Sequence, residues 1–148
     1  MNFDALSGES ASLGEDNDCA VIAAAITTGA SYATAHKALE ALGRKPGRMS
    51  PNYALTKAVT LLGRAYVTHF GWKFGDDGMR SEHVSLPPGH ALCKAKTMTT
   101  AERILRQCYP GRKFLVRCRG HVSAFDGETL QDWTSGRRHR VTALIEVV

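Results

Sequence analysis

The spacing of apolar residues changes along this chain, and that change limits the folds it can adopt. In the first part of the chain the apolar runs are rich in alanine and leucine and recur with helical spacing. From Lys113 onward they alternate with polar residues at a period of two, as strands do. Helices followed by strands predict an α+β fold, with N-terminal helices packed on a C-terminal antiparallel β-sheet.

Capping residues and breakers divide the chain into elements. Glycine or Pro-Gly follows each of four helical patterns, which predict helices over Cys19–Thr28, Tyr32–Leu42, Pro51–Leu62 and Thr99–Cys108. Ala65–Phe70 and Ala91–Lys96 predict short strands, and 71–89 predicts a long loop because it is rich in Gly, Asp and Pro. The alternating runs predict a closing meander of strands over Lys113–Arg119, His121–Phe125, Thr129–Trp133 and Val141–Val147.

Size and composition indicate one globular domain. The chain has 148 residues, of which 43% are hydrophobic and 22% charged, and this is enough to bury a core. Residues 1–15 are polar and predict a flexible arm, and residues 16–148 predict a single domain. There is no apolar run of the ~20 residues that a membrane span needs, and no secretory signal. We therefore expect a cytoplasmic monomer with reduced cysteines and no membrane contact.

The best candidate for a reactive group is Cys19. It lies where an acidic loop meets an alanine-rich helix, for which Asn17 or Asp18 is a natural N-cap. A thiol in the first turn of a helix tends to ionise, because unpaired N–H groups and the helix dipole favour a negative charge there. The neighbouring carboxylates oppose this, so activation requires a cation such as histidine. The alternative is a small buried hydrophobic residue.

A hairpin signal suggests where that histidine is. If Asp126-Gly127 forms a two-residue turn, His121 lies opposite Asp132 on the neighbouring strand. Such pairs point to the same face with Cβ atoms about 5 Å apart. A carboxylate at that distance can hold an imidazole tautomer and favour its protonated form. The alternative is an ordinary cross-strand pair on the surface.

These motifs resemble those of the papain-like cysteine peptidase superfamily. The similarity is carried by Asn17-Asp18-Cys19-Ala20-Val21, by the loop Gly43–Gly47, and by Gly120-His121-Val122 through Asp126-Gly127 to Asp132-Trp133. In this form they look like small papain-like domains of bacterial and phage genomes. The spacing Asp16-x-x-Cys19 also resembles the ovarian-tumour-type deubiquitinase signature, in which the loop before the cysteine supplies the oxyanion hole.

The resemblance implies a catalytic role for three residues. Cys19 would be the nucleophile, His121 the general base and acid, and Asp132 the residue that orients the imidazole. Asn17 and Asp18 would belong to the oxyanion and binding region, and Trp133 would shield the ion pair. The chain departs from the family at Leu13, where papain-like enzymes often carry a glutamine that binds the oxyanion.

We therefore expect a thiol-dependent hydrolase that cleaves a peptide or isopeptide bond of a protein or peptide substrate, without cofactor or metal. Deamidation and transglutamination use the same groups. One alternative is an inactive papain-like or basic binding module that contacts nucleic acid or an acidic protein, since the net charge of +5 is concentrated in the C-terminal third. Another is a zinc-stabilised domain that uses Cys118-x-x-His121 with Cys93 and Cys108.

Overall fold

The predicted α+β class is confirmed. A computed structural model of the chain describes residues 19–45, 54–75, 78–131 and 138–148. Within these ranges, the helices are α1 (Cys19–Thr28), α2 (Tyr32–Ala41), α3 (Ala54–Leu61) and α4 (Met98–Cys108), with a 3-10 helix at Ala91–Lys94. The strands are β1 (Tyr66–Phe74), β2 (Arg80–Val84), β3 (Lys113–Cys118), β4 (His121–Phe125) and β5 (Val141–Val147).

The five strands form one antiparallel sheet in the order β2-β1-β5-β3-β4. The predicted meander is therefore wrong, because β5 lies between β1 and β3. A central strand is covered on both faces, and six of the seven residues of β5 are buried. The apolar composition of Val141–Val147 suits that central position.

Helix α1 packs on β3 and β4 and is buried on all sides. Every residue from Ala20 to Thr28 is buried. The four alanines of this helix let its backbone approach the sheet and helices α2 and α3 closely. The hydroxyls of Thr27 and Thr28 donate to the carbonyls of Ala23 and Ala24, at 2.9 and 2.6 Å. These hydrogen bonds within the helix give the two buried threonine hydroxyls a partner.

Two apolar cores lie on opposite faces of the sheet. Successive side chains of β3 point to opposite faces of the sheet. Leu115 therefore packs in the core shared with α1, α2 and α3, whereas Phe114 and Val116 pack in the core shared with α4. The first core is built mainly from small aliphatic residues, and the second contains larger ones such as Phe125 and Met98. The site described below lies at an edge of the first core.

The predicted loop over 71–89 is wrong, because most of it forms a hairpin. Strand β1 continues through Trp72 to Phe74, and β2 pairs with it. Aromatic residues favour strands, and this preference prevails over the surrounding glycines. The short strand predicted at 91–96 is also wrong. The segment is a 3-10 helix, and the ring of His90 accepts a hydrogen bond from the N–H of Leu92 at 3.1 Å.

The turn after β4 differs from the predicted one by one residue. Phe125 lies opposite Leu130, so the two central residues of the turn are Gly127 and Glu128. The prediction centred the turn on Asp126-Gly127 and paired Phe125 with Glu128. Leu130 forms only an isolated bridge, so the strand predicted from Thr129 is absent from the part of it that the structure describes.

The side chain of Asp126 explains the shift. Its carboxylate accepts hydrogen bonds from the N–H groups of Glu128 and Thr129, both at 2.9 Å. Aspartate at the first position of a turn commonly binds the amides two and three residues later. The register that placed Asp132 opposite His121 is therefore not the register at this turn. Asp132 itself lies outside the described residues.

Candidate active site

Cys19 is the first residue of α1, and three hydrogen bonds converge on its sulfur. They come from the ring of His121 and from the backbone N–H groups of Val122 and Ala20. Burial is the largest influence on the pKa of the Cys19 thiol and raises it, but the three hydrogen bonds and the charge of His121 together outweigh it. The net effect is a lowered pKa. The site therefore favours a thiolate, which is the nucleophilic form of cysteine.

The connection between β3 and β4 places His121 against this thiol. Cys118 and His121 face each other as the last pair of the ladder, and only Arg119 and Gly120 connect them. Gly120 has a φ of 70°, in the region that favours glycine. Helix α1 packs on β4, and the first residue of the helix is hydrogen-bonded to His121 and Val122, the first two residues of the strand.

Arg117 is a second cation at the site, and sequence reasoning missed it. It lies on β3 opposite Val122, and its guanidinium carbon is 5.8 Å from the centre of the Phe74 ring. Burial lowers the pKa of Arg117, and the negative charge of an ionised Cys19 acts in the opposite direction. An arginine remains protonated even so. The signal available in the sequence is its position, because Arg117 interrupts a strand that is apolar on both faces.

The thiol and the imidazole open on a cavity of about 460 Å³. One wall comes from the β1–β2 hairpin, with the side chains of Trp72, Phe74 and Arg80. The opposite wall comes from the end of β3 and the turn that follows, with Arg117 and Arg119 among its residues. A cavity of this size accommodates a few residues of a peptide or a small molecule.

The structure therefore brings two of the predicted site residues together, Cys19 and His121. The other predicted residues lie outside the described part of the chain. These are Asn17, Asp18, Asp132 and Trp133, and Leu13 is outside it as well.

The described residues offer no support for the zinc alternative. They contain no group of three His, Cys, Asp or Glu side chains that could hold a metal ion. Cys118 is buried in the core shared with α4, whereas Cys93 lies near a second cavity and Cys108 ends α4. The four cysteines, all in the described ranges, form no disulfide bond. Within those ranges, the helices are too short or too polar to cross a bilayer.

Comparison with protein-family models, curated proteins and solved structures finds no match to this chain. Functional inference therefore starts from the chemistry of the site. A thiol of lowered pKa that is hydrogen-bonded to an imidazole can attack a carbonyl carbon, with the imidazole transferring protons.

Proposed function

We propose that this chain is a thiol-dependent hydrolase with a papain-like arrangement, which cleaves a peptide or isopeptide bond. The observation that carries the proposal is the hydrogen bond between Cys19 and His121 at the start of a buried helix, beside an open cavity. A nucleophile and a base within hydrogen-bond reach are the signature of covalent catalysis. The order of the elements, with a cysteine on the first helix and a histidine on a late antiparallel strand, supports the papain-like assignment.

In the first half of the proposed reaction, Cys19 becomes acylated. His121 takes the proton of the thiol, and the sulfur attacks the carbonyl carbon of the substrate. The tetrahedral intermediate collapses as the carbon–nitrogen bond breaks, and the protonated imidazole gives its proton to the departing amine. The products of this half are a free amine and a thioester on Cys19.

In the second half, water releases the acyl group. His121 now acts as a base towards a water molecule, whose oxygen attacks the thioester carbonyl. The carbon–sulfur bond breaks, the thiol is regenerated and a carboxylic acid leaves. If the substrate is a glutamine side-chain amide, ammonia is the departing amine, and the same steps give deamidation when water attacks the thioester and transglutamination when an amine attacks it.

The negative oxygen of the intermediate requires hydrogen-bond donors. The backbone N–H of Cys19 is one candidate, because the first N–H groups of a helix have no partner within the helix. The side chain of Asn17 is the second. Loss of one oxyanion donor typically lowers the rate by ~10²–10³, so these two groups would have to replace the missing glutamine.

Asp132 remains our proposed orienting carboxylate. If the pairing of Phe125 with Leu130 continued along the chain, position 132 would lie opposite Ser123. Ser123 is two residues from His121 and therefore on the same face of β4. Diagonal neighbours on one face have Cα atoms about 7–8 Å apart, and contact over this distance depends on the reach of the larger side chain, here the imidazole of His121.

An activated ester tests covalent catalysis without knowledge of the natural substrate. With p-nitrophenyl acetate, we expect a burst of nitrophenolate, an acetyl group on Cys19 detectable by mass spectrometry, and steady turnover. Cys19→Ser should show neither burst nor turnover. His121→Ala should slow both steps by about 10²-fold or more, since general acid–base catalysis contributes this much. Turnover that persists in Cys19→Ser would contradict the proposal.

A basic binding module is the second candidate, and the wall of the cavity favours it. Trp72 is 41% exposed and Arg80 lies over its ring at 5.1 Å. Exposed aromatic and arginine side chains together bind nucleic-acid bases and acidic peptides. Binding that depends steeply on salt and is retained in Cys19→Ala would favour this function over hydrolysis.

A further inference from the structure

Among the described residues, the charged side chains that line the cavity beside Cys19 are all basic. Three arginines line it, Arg80, Arg117 and Arg119, together with His121. The described residues that line it include no aspartate or glutamate. Cations gathered in a cleft with apolar walls attract and hold anions more strongly than the same charges on an open surface.

Two of these arginines are available to a ligand. Arg80 and Arg119 are exposed, and among the described residues neither forms an ion pair with a carboxylate. Arg80 extends from β2 over the ring of Trp72, and Arg119 lies in the turn immediately before His121. They therefore approach the cavity from its two opposite walls.

The third arginine has a different role. Arg117 interacts with the charge of an ionised Cys19, so it acts on the reacting sulfur rather than on a more distant part of the substrate. Its guanidinium group lies over Phe74, and Trp72 is on the same strand. Both aromatic residues line the cavity and give it an apolar surface on which methylene groups of a substrate can pack.

From this arrangement we propose that the cavity recognises a substrate with a carboxylate close to the scissile carbonyl, that is, an acyl group from an aspartyl or glutamyl residue. Arg80 and Arg119 bind the carboxylate, because a guanidinium group can donate two parallel hydrogen bonds to it. The aromatic wall packs on the methylene groups. This inference rests on the proposed hydrolase function and specifies its substrate class.

Two alkylating reagents of the same size test the inference. Iodoacetate and iodoacetamide have the same reacting carbon and lose the same iodide, and they differ only in carrying a carboxylate or an amide. Site-resolved mass spectrometry would give the rate of each at Cys19, divided by its rate with N-acetylcysteine. We expect this normalised rate to be about tenfold higher for iodoacetate at low salt, and the preference to fall as salt screens the charges.

Substitution of the outer arginines should remove the preference. Arg80→Gln and Arg119→Gln should each lower the rate with iodoacetate severalfold, whereas the rate with iodoacetamide should stay within about twofold. Arg103→Gln is the matched control, because it removes one exposed charge from α4, outside the cavity. It should alter neither rate.

Peptide aldehydes extend the test to the proposed substrate class. An acetyl-glutamyl aldehyde should protect Cys19 from iodoacetamide at about one-tenth of the concentration that acetyl-glutaminyl aldehyde requires. Protection by the glutamyl compound should weaken in Arg80→Gln and Arg119→Gln.

The possible outcomes separate this inference from the proposed function. Rapid alkylation of Cys19 at low pH without preference for the anionic reagents would overturn the acidic-substrate inference and leave the hydrolase proposal in place. Slow alkylation by both reagents would overturn both. A preference for iodoacetate that the two arginine substitutions leave unchanged would also overturn the role of Arg80 and Arg119.

Discussion

Two clusters of one histidine, one arginine and one acidic group lie at opposite ends of the ladder between β3 and β5. In the closed cluster, His69 and Arg112 surround Glu146, with His69 Nε2 2.8 Å from Oε1 and Arg112 Nε 2.6 Å from Oε2. In the open cluster, His121 and Arg117 lie near the thiol of Cys19. The closed cluster is capped by Tyr109, whereas the open cluster faces the cavity.

The difference between them concerns the acidic group. In the closed cluster, both oxygens of the Glu146 carboxylate are bound by protein partners, one by His69 and the other by Arg112. A thiol is ionised at neutral pH only if its surroundings lower its pKa, and a thiolate that faces a cavity can react. We infer that the closed cluster contributes stability and that the open cluster contributes chemistry.

The largest effect that tests this comparison is expected at Glu146. The Glu146→Gln substitution removes the carboxylate that Arg112 and His69 bind, and Glu146 is only 4% exposed. We expect a loss of about 2–3 kcal/mol in the free energy of unfolding, because the charge-assisted hydrogen bonds to a buried carboxylate are lost. Urea denaturation measures this loss. Alkylation of Cys19 should be unchanged in the folded variant.

Glu82→Gln is the matched control for that experiment. Glu82 pairs with Lys73 at 3.9 Å, and its side chain is 67% exposed. An exposed pair of this kind contributes little, so the variant should be within about 0.5 kcal/mol of wild type. Equal stability of Glu146→Gln and Glu82→Gln would contradict the structural role of the closed cluster.

A smaller effect is expected at Gly71, which lies on β1 between His69 of the closed cluster and Trp72 of the cavity wall. Its φ is 113°, and a Cβ atom there would lie 2.5 Å from Ala143 Cβ and 2.8 Å from the carbonyl oxygen of Thr142. Ala143 and Thr142 line the cavity. Gly71→Ala should cost about 2 kcal/mol of stability, and should change the fluorescence of Trp72 because the hairpin must move.

Gly89→Ala isolates the effect of this close approach. Gly89 also has a positive φ, of 83°, but no atom lies within 4 Å of the position of its Cβ. This variant should lose about 1 kcal/mol from the backbone alone and leave the cavity unchanged. If Gly71→Ala proves no more destabilising than Gly89→Ala, the close contact between β1 and β5 does not determine the position of the hairpin that lines the cavity.

Local patterns predicted much of the fold. The bounds of α1 follow from the alanine-rich run and Gly29, those of β4 follow from alternation between turn residues, and those of β5 follow from an apolar run after a turn. The order of the strands could not be predicted in this way. A short, mostly apolar run bounded by turn residues predicts that Val141–Val147 is a strand, but not that it pairs with β1 and β3.

The site was predicted in part, for a related reason. A cysteine in the first turn of a helix and a histidine that opens a strand are visible in the sequence, and the structure places them in contact. The wall formed by Trp72 and Phe74 was not predicted, because the glycines around these residues favoured a loop where the structure has a hairpin. The role of Arg117 was missed because the charge of a side chain does not reveal which face of the sheet buries it.

The pH dependence of alkylation by iodoacetamide at Cys19, in wild type and in His121→Ala, tests the central claim most directly. A lowered pKa means that the thiolate forms at lower pH, so labelling of wild-type Cys19 should rise at a pH below ~8.5, the usual pKa of a free thiol. In His121→Ala, burial remains and the main opposing hydrogen bond is lost, so the pKa and the labelling curve should move upward. Cys108 is exposed and serves as the internal reference. If Cys19 labels slowly at all pH values below ~8.5, and His121→Ala leaves its curve unchanged, Cys19 is not an activated nucleophile and the hydrolase proposal is wrong.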